Sequence, residues 1–320
     1  MPATLNDAPH PVATALVVGG GSIGTRHRRV LTELGVTVEL VSRRGGPGVQ
    51  TDLDAAVTAL APDYVVVATE TADHARVLDR LAALAFRGRV LVEKPLFALP
   101  RPLPRHDFKA LGVGYNLRFH PVLQRLTERL AGERLLSAQI YVGQYLPDWR
   151  PGCDYRQSYS SRATLGGGAL RDLSHELDVA NWLLGDWRRL AALGGHWSPL
   201  EIDSDDTFLV LGAFARCPAA SIQVNYLDRR TRRDLVINTA DHTFSADLIA
   251  GTLACDREPP ETFTQDRDHM YRSLHQAMLN DRPGPCSAPE AEGVMAMIAA
   301  AETAAETGTW VTRAESVRHG

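Results

Sequence analysis

A chain of 320 residues, 44% apolar and 22% charged, has the composition of a folded protein and the length for two cores, since one core stops growing at roughly 250–300 residues. A formal net charge of −4 argues against nucleic-acid binding through a broad basic surface, and no apolar run reaches the roughly 20 residues of a membrane helix. Among the 34 basic side chains only two are lysine, Lys94 and Lys109.

The opening stretch, residues 1–13, lacks the charged and apolar regions of a secretory signal and predicts a short tail. Residues 13–19 (ATALVVG) predict a buried strand, 23–34 a helix with basic residues on one side, and 36–41 a second strand. A helix over 53–60, a strand over 64–68, an amphipathic helix over 74–85, and strands over 89–92 and 110–114 follow. Near-continuous apolar strands separated by helices predict the α/β class, a doubly wound parallel sheet covered on both faces. Prolines at 95, 100, 102 and 104 disfavour a helix over 94–106. Past Asn116 the pattern changes. A helix over 121–130 and a strand over 136–142 precede an aromatic, basic loop over 143–162. Glycines 166–168 lead into a helix over 170–184. Residues 188–248 read as successive antiparallel strands, and helices over 270–279 and 290–307 follow. The boundary falls near 115–118, dividing the chain into 1–117 and 118–320. Cys153, Cys217, Cys255 and Cys286 stand far apart without a C-x-x-C pair, which suits a reducing cytoplasm and neither a zinc site nor a disulfide framework.

Gly19, Gly21 and Gly24 satisfy G-x-G-x-x-G, with a strand ending at Gly19 and a helix opening at Ser22 and Ile23. Glycines serve any tight turn, but free N–H groups at that helix start would face a diphosphate, which favours dinucleotide binding. The second strand ends in Ser42, Arg43 and Arg44. An NAD site usually carries an acid there, whereas a hydroxyl and two guanidinium groups suit the 2′-phosphate of NADP; two solvated arginines are the alternative. Glu93-Lys94-Pro95 follows the fourth strand at the carboxyl edge of the sheet, where doubly wound folds bind ligands. A lysine there can exchange a proton near neutrality and an arginine cannot. Lys109 has no motif around it and reads as surface. Asp172, His175 and Asp178 recur at i,i+3 on one predicted helix face, which makes His175 a general acid or base flanked by carboxylates. A buried structural network and a metal site are the alternatives. No third ligand cluster accompanies these residues, so no metal is expected.

Taken together, GGGSIGTRH, VVVATETADHARVL, EKP, GYNLRFHP and GGGALRDLSHELDVANWLLG resemble the Gfo/Idh/MocA oxidoreductase family in the family's order. The resemblance implies an N-terminal Rossmann domain over 1–117. Residues 118–320 would form a C-terminal α+β domain whose large open antiparallel sheet makes homodimers or homotetramers. It implies hydride transfer between a nicotinamide, NADP by the arginines with NAD left open, and a carbinol or keto carbon of a sugar, nucleotide sugar or cyclitol. By position, Lys94 matches the lysine that contacts the reacting oxygen, and Glu93 precedes it. His175 matches the histidine that exchanges the proton. Asp172 stands three before that histidine, where the family has an acid four before; Arg171 occupies that place. Ala68, Thr69 and His74 match the segment near the nicotinamide ribose, with His74 equally suited to holding backbone. His27 matches a recurrent histidine of structural character. Asn116 and Arg118 fall at the domain junction, facing cofactor or substrate. Tyr145, Trp149, Tyr155, Arg156, Tyr159 and Arg162 would line a substrate pocket whose arginines favour a phosphate or carboxylate; a plain surface loop is the alternative. Two other readings remain: an imine or biliverdin-type reductase on the same plan, and a non-catalytic NADP-binding sensor, which would not need Lys94 and His175. No nucleic acid and no membrane partner is expected.

Overall fold

The computed structural model describes residues 13–149 and 152–313; the tail expected at the N-terminus lies, up to residue 12, outside them. The first sheet begins with β1 (Thr14–Val18), β2 (Thr37–Val41), β3 (Val49–Gln50), β4 (Tyr64–Val67), β5 (Arg89–Val92) and β6 (Ala110–Val113). Helices α1 (Ser22–Glu33), α2 (Leu53–Leu60) and α3 (Thr71–Ala83) connect the strands. All neighbours among these six strands pair in parallel. Every side chain of β4 is fully buried, because helices cover both faces, and a strand in that position must be apolar without alternation.

Helix α4 (Pro121–Arg129) leads into β7 (Leu135–Gly143), the centre of the second sheet. Helices α5 (Ala169–Asp172) and α6 (His175–Leu184) precede β8 (Trp187–Gly195), β9 (Thr207–Phe214), β10 (Ala219–Asn225), β11 (Arg232–Thr239), β12 (Thr243–Asp247), β13 (Thr252–Cys255) and β14 (Glu261–Thr262). The chain ends with α7 (His269–Leu279), β15 (Cys286–Ser287), α8 (Ala288–Thr307) and β16 (Val311–Thr312). The second sheet runs β14-β13-β12-β11-β7-β10-β9-β8-β16. Its pairs are antiparallel except β7 with β10. Here the strands do alternate: in β9, Phe208 and Val210 are buried while Leu209 and Leu211 are exposed. One face therefore packs on helices and the other stands open.

Two expectations need correction. The helix over 170–184 is broken at Leu173 and Ser174. The carbonyl of Asp172, which an unbroken helix would give to the Glu176 N–H, instead accepts the Lys94 ammonium at 2.5 Å, and Glu176 N–H turns to Leu173. The second concerns the chain beyond residue 118, which is not confined to the second layer. Helix α7 packs on α1, and β15 adds an antiparallel edge to β6, giving the first sheet the order β15-β6-β5-β4-β1-β2-β3. Two-residue strands such as β3 and β15 carry no periodicity to read. Among the described residues no helix is long and apolar enough to cross a membrane.

Candidate active site

The glycine turn joins β1 to α1. Gly19 has φ +122°, and a Cβ there would lie 2.3 Å from the Ala68 carbonyl oxygen; one on Gly24 would lie 1.9 Å from the Gly19 carbonyl oxygen. Those two positions are demanded by close packing. Gly21 is different: a Cβ there meets nothing within 4 Å, and no side chain caps the helix that starts after it at Ser22 and Ile23. Open space in front of uncapped N–H groups is a cradle for an anion such as a diphosphate.

At the end of β2, Ser42 Oγ accepts the Arg44 N–H at 3.3 Å. Arg43 is paired with Asp73, and Arg44 stands 4.0 Å from Glu70, both acids belonging to the start of α3. The strand's own acid, Glu39, bonds Gln50 instead. Both arginines are largely exposed, so their pairs are weak and exchangeable. Beyond β4, the Thr69 hydroxyl is buried without a partner among the described residues. His74 is fully buried, with Nδ1 3.1 Å from the Pro95 carbonyl and Nε2 3.2 Å from the Thr69 carbonyl. As a neutral ring it donates to one of these carbonyls, so it holds backbone, the second of its two expected roles. Burial pushes its pKa down. The Lys94–Pro95 peptide is cis.

Lys94 reaches from the end of β5 to the break between α5 and α6. The Asp172 carboxylate, buried, accepts the Tyr226 hydroxyl at 2.6 Å, and the Trp149 ring meets Tyr226 edge-on at 5.1 Å. His175 stands edge-on to the Tyr115 ring at 5.6 Å, and its Nδ1 is buried without a partner among the described residues. Burial foremost, then the charges of Lys94 and Arg233, push its pKa well down, so the ring is neutral. The break in the helix thus overturns the flanked-histidine expectation: Asp172 serves Tyr226 and Asp178 serves Arg118. Arg118 requires a further correction. Its Nε and Nη2 bond Asp178 at 2.9 and 2.7 Å, and its Nη1 bonds Glu290 at 2.8 Å. With 4% of the side chain exposed, it locks α6 to the start of α8, and each of its three nitrogens already donates to a carboxylate. Asn116, beside it, is likewise buried.

The loop over 143–162 divides. Trp149, Tyr155 and Asp154 line a cavity of about 420 Å³ with Gln157, Ser158 and Ser160. Arg156 is committed to Asp154 at 2.8 Å and Glu201 at 2.9 Å, and Arg229 covers the Tyr145 ring at 3.4 Å. Neither Arg156 nor Tyr145 lines that cavity, and the half-exposed pairs of Arg156 are as exchangeable as those of Arg43 and Arg44. Arg162 is exposed, and Tyr159 forms the next 3-10 turn. A larger cavity, about 600 Å³, opens at the other end of the second sheet among Arg134, Arg188, Arg189 and Arg216, away from every reacting group. Among the described residues His242, Cys255 and Asp256 also cluster, but Asp256 already accepts from His242 and the Thr243 N–H.

Residues 124–244 match the GFO/IDH/MocA C-terminal domain, which bears out the family resemblance read from the sequence. Among solved structures, GenD2 from gentamicin A biosynthesis, in complex with NAD, is 24% identical, with 96% of this chain and 97% of that one covered at a TM-score of 0.78. Levoglucosan dehydrogenase in complex with NADH and levoglucosan is 16% identical, covering 95% and 100% at 0.79. The WlbA dehydrogenase from Bordetella pertussis, in complex with NADH and UDP-GlcNAcA, is 17% identical, covering 96% and 100% at 0.75. These likenesses show a common fold over 95–96% of this chain. Comparison with curated proteins finds no match.

Proposed function

We propose that the protein is a nicotinamide-dependent oxidoreductase acting on a carbinol or keto carbon of a sugar, nucleotide sugar or cyclitol. The observation that carries this reading is that Lys94, at the carboxyl edge of the parallel sheet, is anchored on the Asp172 carbonyl at the helix break from which His175 opens the next helix. The cofactor fits the chain: the open cradle at Gly21 suits its diphosphate, and the orphaned Thr69 hydroxyl offers a polar contact beside β4. A bound nicotinamide would donate or accept the hydride. Lys94 would stabilise charge developing on the substrate oxygen. His175, held neutral, would take the proton from a hydroxyl on oxidation and return it on reduction. Asp172 acts on Lys94 through its main-chain oxygen, and its carboxylate fixes Tyr226 under Trp149. Trp149 and Tyr155 provide apolar faces beside the loop cavity, which suits the saccharide ligands named for the levoglucosan and UDP-GlcNAcA complexes.

We take NADP as the cofactor, because β2 is followed by Ser42, Arg43 and Arg44 and its own acid, Glu39, is engaged by Gln50. The 2′-phosphate would displace Asp73 and Glu70 from exposed pairs. Fluorescence titration with NADPH and NADH tests this; tighter binding of NADH overturns it. The exposed Leu193, Leu209 and Leu211 on the open sheet face support a homo-oligomer formed through that face. A sensor without catalysis would have no use for a lysine held against a helix break. The deciding experiment is a screen of sugars, nucleotide sugars and cyclitols with both cofactors, read at the nicotinamide absorbance. Turnover of none of these classes, with binding of cofactor retained, would reject the assignment.

A further inference from the structure

Four titratable side chains outside the reacting pair form a file beside the parallel sheet, under α1 and α7. The Tyr64 hydroxyl lies 3.0 Å from His275 Nδ1, His275 Nε2 lies 2.8 Å from His27 Nδ1, and His27 Nε2 lies 2.9 Å from Glu93 Oε1. The other carboxylate oxygen of Glu93 accepts the main-chain N–H of Lys94 at 3.2 Å. Tyr64, His27 and His275 are fully buried, and the tyrosine is drawn from the start of β4, the glutamate from the end of β5 and His275 from a helix that arrives after the second sheet.

The chemistry of the groups gives the file a direction. A carboxylate only accepts, so His27 Nε2 carries the hydrogen and, in a neutral ring, Nδ1 accepts. His275 must then donate from Nε2 and accept at Nδ1, and the Tyr64 hydroxyl donates to it. The arrangement with His27 charged reverses His275 and leaves the buried Tyr64 hydroxyl hydrogen without an acceptor among the described residues, where its hydrogen bond is with His275 alone. Burial opposes ionisation of Glu93, but the His27 hydrogen bond foremost, with the charge and the main-chain N–H of Lys94, holds the carboxyl below its ordinary range. Burial pushes the Tyr64 hydroxyl well above its ordinary range and His275 well below. A file ending in so weak an acid does not deliver protons. It fixes orientation.

We propose that Tyr64 and His275 are positioning residues for Lys94: they hold the His27 ring from its Nδ1 side, so that its Nε2 hydrogen clamps the Glu93 carboxylate, which in turn holds the backbone of Lys94 while the Asp172 carbonyl holds its ammonium. Docking of α7 is thereby coupled to the geometry of Lys94. The consequence for catalysis rests on the oxidoreductase reading; the hydrogen-bond file does not. Space for the clamp is kept by Gly114, where a Cβ would lie 3.0 Å from Glu93 Oε1.

The test needs neither cofactor nor substrate, so its failure is separate from failure of the functional reading. In the full chain labelled with nitrogen-15 histidine, long-range spectra near neutral pH are expected to show His27 and His275 neutral and protonated on Nε2. A chain with two lysines labelled at Cε gives two lines, assigned with Lys109→Arg. Tyr64→Phe and His275→Leu are expected to move the Lys94 line and leave that of Lys109. His275→Gln, whose amide donates and accepts in the same sense, is expected to return the Lys94 line to its wild-type position. An Nδ1-protonated or charged ring at either histidine in the unmodified protein overturns the proposal whatever the variants do. So does an unmoved Lys94 line in folded Tyr64→Phe, which removes one oxygen and keeps the ring, or failure of His275→Gln to restore it.

Discussion

Lys94 and Lys109 show what a lysine does in two environments of one chain. Lys109 is half-exposed and pairs with Asp281 at 2.9 Å, a contact any cation could make. Lys94 ends on a main-chain oxygen at a helix break, where a compact ammonium fits and a planar guanidinium would not. Lys94→Ala is expected to lower kcat by about 100- to 1,000-fold, the usual effect of losing one donor to a developing oxyanion. Near-normal turnover in the substrate found by the screen would remove Lys94 from the reaction. The glycines of the turn separate in the same way. Gly24→Ala forces a Cβ against the Gly19 carbonyl and is expected to lower the melting temperature, whereas Gly21→Ala fills open space. The latter is expected to keep the melting temperature and weaken cofactor binding, as read by nicotinamide fluorescence. The glycine pattern was legible in the sequence, but which glycines serve packing and which serves the ligand was not. That distinction depends on what stands opposite each one.

At the level of elements, the break between α5 and α6 reorganised the reading most. Spacing along 170–184 placed Asp172, His175 and Asp178 on one face because an unbroken helix was assumed. A lysine 78 positions earlier takes the carbonyl that continuity needed, and propensity is a weak prior against such a tertiary contact. Tyr226→Phe leaves the buried Asp172 carboxylate without its hydroxyl donor and is expected to cost about 1–3 kcal/mol of stability in denaturant unfolding. Helix α4 supplies a pH signature. His120 is its N-cap, accepting the Val122 N–H on Nδ1, and burial foremost lowers its pKa to about 4. The folded-state pKa lies below the unfolded value of roughly 6.5. The stabilisation is therefore complete above that value and is lost as pH falls through about 4. A falling melting temperature across this window, flattened in His120→Asn, is the expected result; an unchanged slope would clear His120 of that role.

Across the whole molecule, the two sheets meet the solvent differently. The parallel sheet is covered on both faces, while the nine-stranded sheet leaves Leu193, Leu209 and Leu211 in the open. Leu211→Asp is expected to reduce the particle mass measured by light scattering while leaving the melting transition of the monomer in place. An unaltered mass would overturn the proposal that this face associates.

By itself the sequence determined the parallel layer, the glycine turn, the alternating second sheet and the position of Lys94, since each is a local signal of apolar period, turn chemistry or motif. The tertiary structure alone decided what those side chains do to one another. Arg118 faced a ligand by position and Asp178 a histidine, yet they bind each other across 60 residues. His27 looked merely structural until His275, 248 residues away, came to rest against it. Hydrogen-bond partners in a buried network are chosen by packing in three dimensions, and no spacing along the chain records that choice.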